Sequence, residues 1–192
     1  MQNDLICAGF GGQGVLLIGK ILAYAGMHEG KEVVWFPSYG PEMRGGTANC
    51  SVVISDRSVG SPIIAQPRGL IAMNLPSLDL FEPKVRPGGL IIVNTSLINR
   101  SVQRTDVIAL ELPCNEMAMA AGTHRAANMV ALGAYVGMTE AVQLAEAEQL
   151  VRDTFAQKPK LVDVNLKALH VGHEFALAHR SGHKASAQEV RS

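Results

Sequence analysis

A three-layer α/β/α domain on a mainly parallel sheet is the fold class this sequence predicts. Three observations carry the prediction. Short apolar runs alternate with segments of helical periodicity through the first half of the chain. Runs such as 70–73 and 90–93 are apolar on both faces, so their sheet needs cover on both sides. The opening segment joins a strand to a helix through Gly9-Phe10-Gly11-Gly12-Gln13-Gly14, a Rossmann-like start.

The elements follow in order. Residues 4–8 have strand length and apolarity. A helix is expected over 12–28, because Val15, Ile18, Leu22 and Ala25 recur at helical spacing and Gly30 ends the pattern. Residues 32–36 form a second strand, and 38–46 a turn-rich loop. The β-branched stretch 47–54 is a strand ended by Ser55-Asp56, and a loop with Ser61-Pro62 follows. Strand 70–73 leads to a short helix over 76–81, stopped near Pro83. Pro87-Gly88-Gly89 turns the chain into strand 90–93, and strand 106–112 ends at Pro113. Helices are expected at 115–121, 124–136, 140–155 and 161–179, a helical C-terminal third. Thr139 is expected to cap the third of these, whose apolar face is Ala141, Leu144, Ala147, Val151 and Phe155. Residues 1–179 then make one domain and 180–192 a polar tail.

Bulk composition narrows the function. The chain has 192 residues, enough for one substantial core. Lys plus Arg and Asp plus Glu both number 17, and a net charge of zero gives no basis for nucleic-acid or anionic-membrane binding. The start lacks a basic segment before its apolar run, and no apolar run approaches the ~18 residues of a membrane span, so no secretory signal and no membrane segment are expected. Cys7, Cys50 and Cys114 are scattered and odd in number, as suits buried thiols of a reducing cytoplasm. There is no C-x-x-C pair. A 4Fe–4S cluster needs about four thiolates, so this chain alone is not expected to hold one.

Two loops carry the functional signal. The first, 9–14, matches G-x-G-x-x-G: glycines let the backbone turn sharply and approach a ligand, and the helix start offers free N–H groups to an anion. A nicotinamide site also places an acid at the end of the second strand, about 20 residues on. Here that end is Trp35-Phe36-Pro37-Ser38, without a carboxylate. The loop is thus a tight strand-to-helix turn without ligand, a dinucleotide site, or a contact for a phosphate-bearing cofactor or partner subunit. Gln13 can donate and accept, and so can bond a neighbouring backbone or a ligand, or cap the helix. The second loop, Ser38-Tyr39-Gly40-Pro41-Glu42-Met43-Arg44-Gly45-Gly46, offers a forked cation at Arg44 suited to a carboxylate or phosphate. Its alternative is a solvated turn with a weak Glu–Arg pair. His173 shares a face with Leu166, Leu169 and Ala176 and is expected to be packed. Met117 and Met119 are expected to serve core or interface packing.

The two loops together resemble the gamma subunit of 2-oxoacid:ferredoxin (acceptor) oxidoreductases, equivalent to domain III of single-chain pyruvate:ferredoxin oxidoreductase. Ile54-Ser55-Asp56, Ser61-Pro62-Ile63, Pro87-Gly88-Gly89-Leu90, Asn128-Met129-Val130-Ala131-Leu132-Gly133, and Asn165 with Ala168 and Gly172 extend the resemblance over about residues 5 to 175 in family order. Loop wording and length resemble the 2-oxoglutarate branch, with pyruvate, branched-chain 2-oxoacid and indolepyruvate enzymes alongside. Where the family often carries an acid after the third strand, this chain has Gln66-Pro67-Arg68-Gly69.

The resemblance implies CoA-dependent oxidative decarboxylation of a 2-oxoacid to an acyl-CoA and CO2, with electrons passed to ferredoxin. It implies thiamine diphosphate, Mg2+ and iron–sulfur clusters on partner subunits, and coenzyme A as co-substrate. The implied partners are alpha and beta subunits, with delta as a further option, and ferredoxin through the complex. The isolated chain is expected to be inactive and able to form a homodimer. The implied contacts to coenzyme A or neighbouring subunits are Gly11, Gly12, Gln13, Gly14, Tyr39, Arg44 and Gly45, and none is a general acid or base. Two other functional classes stay open on the residues: a stand-alone nucleotide-binding module and a purely structural assembly subunit.

Overall fold

The computed structural model describes residues 2–38, 47–59 and 64–189, with side chains described to residue 181. Its strands are β1 (Gln2–Phe10), β2 (Glu32–Ser38), β3 (Thr47–Ser55), β4 (Gly69–Ala72), β5 (Leu90–Asn94) and β6 (Ile108–Leu112). The helices are α1 (Val15–His28), α2 (Leu75–Phe81), α3 (Cys114–Ala121), α4 (Ala127–Thr139), α5 (Leu144–Thr154) and α6 (Pro159–Glu189). The described strands form one sheet in the order β2-β3-β1-β4-β5-β6. β1, β4, β5 and β6 pair in parallel, while β3 runs antiparallel to both β1 and β2. Five strands therefore point one way and β3 alone opposes them, so the α/β class and the mainly parallel sheet are found as expected.

The insertion of β3 has a consequence for the glycine loop. β1 pairs with β3 from Gln2↔Ser55 to Phe10↔Thr47, so β2 is an edge strand two spacings from β1. At about 4.8 Å per spacing, the end of β2 lies roughly 10 Å from the strand that carries the loop. A dinucleotide fold puts its ribose acid on the strand beside the loop; here β3 occupies that position.

Alternation along the strands divides the core in two. Leu5 and Cys7 of β1, Ile71 of β4, Ile92 of β5 and Leu110 and Leu112 of β6 pack with α1, α3, α4, α5 and α6. Ile6, Ala8, Leu70, Ala72, Ile91 and Val93 face the other way, onto Leu78 of α2 and Ile98 of the β5–β6 connection. The two helical layers are unequal. α4 is buried along almost its whole length, with the sheet on one side and α6 on the other. A helix apolar all round belongs in such a place. The smaller layer is fastened by charge: Arg100 donates to Asp79 and Glu82, and the buried Glu82 also accepts from the Arg104 N–H.

Several boundaries differ from the sequence expectation, for physical reasons. α1 begins at Val15, not at residue 12, because Gly12 and Gly14 have φ of 94° and 74°, outside the helical region. Thr139 does not cap the following helix: its hydroxyl donates to Tyr135 O at 2.7 Å within α4. Glu140 takes a left-handed φ of 51° and ends α4, which delays α5 to Leu144. Residues 124–126 form a separate 3₁₀ turn before α4. α6 continues to Glu189, and Arg180 donates from it to Gly137 O at 2.7 Å. Among the described residues no helix is long and apolar enough to cross a membrane.

Candidate functional site at the strand ends

The carboxyl ends of the parallel strands meet where the chain's connections diverge. After β1 the chain crosses to the α1 face, and after β4 it crosses to the α2 face. This divergence opens a crevice between the two strand ends, the usual ligand position in open α/β sheets. A cleft of about 420 Å³ lies there, with Gly12 and Gln13 on one wall and Met73 at the end of β4. Leu97 and Asn115 form the opposite wall, and His124, Arg125 and Ala127 close the third side.

Gln13 shapes the loop. Its Oε1 accepts the Phe10 N–H at 2.6 Å and its Nε2 donates to Met73 O at 3.1 Å, so one carboxamide ties the loop to β4. A side chain at Gly9 would strike that Oε1. Gly14 caps α1 in the left-handed region, and any side chain there would collide with Asn128, whose amide donates to Gly14 O at 3.4 Å. Gly12 is different: a Cβ built on it meets nothing within 4 Å. Its glycine serves the positive φ and leaves the backbone open to the cleft.

The opposite wall depends on Asn94, which is fully buried at the end of β5. Its Oδ1 accepts the Ser96 and Cys114 N–H groups at 3.2 and 3.1 Å, and its Nδ2 donates to Asn115 Oδ1 at 3.0 Å. Ser96 donates to Glu116 and holds that carboxyl below its usual range. The Cys114 thiol is pushed up to about 12 by burial. Cys7 and Cys50 are register partners on β1 and β3, both buried, and burial raises Cys7 well above the ordinary thiol range. The Cys50 thiol is instead lowered, first by its hydrogen bond with Cys7, and all three cysteines are free and buried. Among the described residues no group of three or more His, Cys, Asp or Glu side chains is placed to hold a metal ion.

Of the residues singled out from sequence, Gly11, Gly12, Gln13 and Gly14 come together, with Gly12 and Gln13 lining the cleft. Tyr39, Arg44 and Gly45 lie outside the described residues. Sequence reasoning missed His124 and Arg125, which look like an ordinary helix start. A usable signal was present in Thr123, whose hydroxyl caps the 3₁₀ turn by accepting the Arg125 N–H at 3.4 Å and so holds His124 and Arg125 at the strand-end edge. His173 is half-buried against Gly137, as expected for a packed residue, and burial lowers its pKa. Met117 packs against the core, while Met119 is exposed.

Comparison with known proteins agrees with this architecture. The family described as pyruvate ferredoxin/flavodoxin oxidoreductase matches residues 4–175. The ketoisovalerate oxidoreductase subunit VorA of Methanothermobacter marburgensis is 42% identical over 91% of this chain, which spans only 37% of that protein. The 2-oxoglutarate synthase subunit KorC of Methanocaldococcus jannaschii is 31% identical over 92% of this chain and 95% of its own length. The crystal structure of the keto/oxoacid ferredoxin oxidoreductase gamma subunit from Geobacter sulfurreducens PCA superposes with a TM-score of 0.80 at 32% identity, covering 92% of this chain and 99% of that one. The 2-oxoglutarate:ferredoxin oxidoreductase from Magnetococcus marinus, solved with 2-oxoglutarate, coenzyme A and succinyl-CoA bound, shares the fold. Its TM-score is 0.85 at 24% identity, over 92% of this chain and 31% of that one. The chain belongs to the pyruvate ferredoxin/flavodoxin oxidoreductase family, in which it corresponds to the gamma subunit of the 2-oxoacid:ferredoxin enzymes.

Proposed function

We propose that this chain is the gamma component of a multisubunit 2-oxoacid:ferredoxin oxidoreductase that uses 2-oxoglutarate. The reaction cleaves the bond between the carboxylate and the oxo carbon, releases CO2, and joins the remaining acyl group to the sulfur of coenzyme A. The electron pair leaves for ferredoxin through the complex. Thiamine diphosphate, Mg2+ and iron–sulfur clusters belong to alpha, beta and delta partners, and this chain supplies a contact edge for coenzyme A and those subunits. The observation that carries the reading is the strand-end cleft: a built recess, shaped by Gln13 and Asn94, beside a loop whose Gly12 exposes bare backbone. Around it no paired carboxylate, activated thiol or metal-ligand cluster stands among the described residues.

Tyr39, Arg44 and Gly45 belong to this proposal as further contacts at the same edge, with Arg44 meeting a phosphate or carboxylate. The near full-length match to KorC supports 2-oxoglutarate and a separate gamma chain. The higher identity to VorA supports a branched-chain 2-oxoacid as a second reading. The test is purification from the native source, followed by turnover assays with 2-oxoglutarate, ketoisovalerate and pyruvate in the presence of coenzyme A. Co-elution with thiamine- and cluster-bearing chains and CoA-dependent reduction of ferredoxin is the expected result. Recovery of the chain alone, binding NAD or a free nucleotide, would replace the proposal with the stand-alone module.

A further inference from the structure

We propose that the strand-end cleft is a phosphate-binding site in which Arg125 supplies the charge and Gly12, Asn115 and a ring N–H of His124 supply further donors. The argument rests on which hydrogen-bonding capacity the cleft has left. Asn115 turns its Oδ1 to Asn94, from which it accepts at 3.0 Å, and keeps both of its N–H donors free. Gln13 uses Oε1 on Phe10 and one Nε2 hydrogen on Met73, which leaves one donor. Arg125 carries five donors and no acceptor, and its guanidinium makes no ion pair or hydrogen bond among the described residues. The Gly12 N–H likewise meets no backbone acceptor among them. Among the described residues no aspartate or glutamate lines the space.

A recess that is rich in donors, poor in acceptors and cationic on one side selects an oxyanion over a metal ion or a neutral sugar. Four other arginines, though not all, are neutralised within the fold: Arg68 by Asp4, Arg100 by Asp79 and Glu82, Arg104 by Asp106, and Arg180 by Glu140. The volume of about 420 Å³ exceeds one phosphate and falls in the range of small-ligand sites. The ligand class is therefore a phosphate ester or diphosphate that carries an organic remainder.

Identifying that ligand with the co-substrate of the complex rests on the proposed function; the anion site itself does not. The test has two arms. In the first, the 192-residue chain is titrated with inorganic pyrophosphate by calorimetry and by amide chemical shifts. Saturable binding with shifts at Gly12, Gln13 and Asn115 is expected, weakened about tenfold in Arg125→Ala and partly restored in Arg125→Lys, since lysine keeps the charge but not the fork. Asn115→Asp places an acceptor against the anion and should weaken binding further, with circular dichroism checking that each variant is folded. Absence of binding, or equal affinity in Arg125→Ala, overturns the site. In the second arm the variant is assembled into the complex, where the KM for coenzyme A should rise about tenfold and that for the 2-oxoacid should not. A pyrophosphate defect without a change in that KM would keep the site and overturn its assignment to the co-substrate.

Discussion

Single side chains decide the shape of the strand-end edge. Gln13 replaces what would otherwise be a flexible glycine run with a bridge between two strands. Gln13→Met keeps the bulk and deletes both hydrogen bonds, so it should cost about 1–3 kcal/mol at the usual net value per bond. A lowered urea midpoint with unchanged slope would register this, and an unaltered midpoint would show that the bridge contributes nothing. Cys114 gives a prediction of opposite character, because its burial acts through protons. Its folded pKa is raised from 9.0 to about 12, so the neutral thiol favours the folded state. That contribution is present below pH ~9 and is lost as pH rises from ~9 towards ~12, where the unfolded chain ionises first. Cys114→Ala lacks the group. Its stability deficit relative to wild type should shrink above pH ~9, by up to about 1.4 kcal/mol per pH unit. Denaturation curves at several pH values decide it: a deficit that stays constant would mean the thiol titrates normally when folded.

At the scale of elements, the packing of α4 on α6 is close and depends on glycine. A Cβ at Gly133 would overlap the Leu169 carbonyl, and one at Gly172 the Val130 carbonyl. Backbone cannot step aside as a side chain can, so Gly133→Ala should destabilise by about 1–3 kcal/mol or more through overpacking. A thermal midpoint equal to that of wild type would contradict so tight a crossing. These helices also show what was legible in the sequence. Apolar runs at 70–73 and 90–93 located buried strands, because a strand covered on both faces leaves no polar position. The motif from Asn128 to Gly133 was visible as text, yet its two jobs, Asn128 against Gly14 and Gly133 against α6, need partners more than 30 residues away. The antiparallel placing of β3 between β1 and β2 was equally hidden. Pairing order depends on which long-range ladder wins, and local pattern does not record it. Arg125 escaped notice for a similar reason: only the fold reveals that its guanidinium has no ion-pair partner among the described residues.

The whole molecule is asymmetric, with a thin layer on one face of the sheet and a double helical layer on the other. That asymmetry raises the question whether α4–α6 form a unit of their own. The main core argues against it: one continuous apolar cluster runs from Val33 and Trp35 of β2, through α1 and the sheet, to Leu169 and Ala176 of α6. No polar layer divides it, and residues 1–179 should therefore unfold together. The single tryptophan makes this measurable. Trp35 lies half-buried beside α1 near Cys50 and Gly19, so its fluorescence follows the β2–β3 edge. Far-UV circular dichroism is dominated by the helices, the longest of which is α6 at the opposite end of the chain. Denaturation followed by the two signals should give one midpoint and one slope. Loss of fluorescence before loss of helix would divide the chain into a sheet-edge unit and a helical unit, and the single-domain organisation would fail.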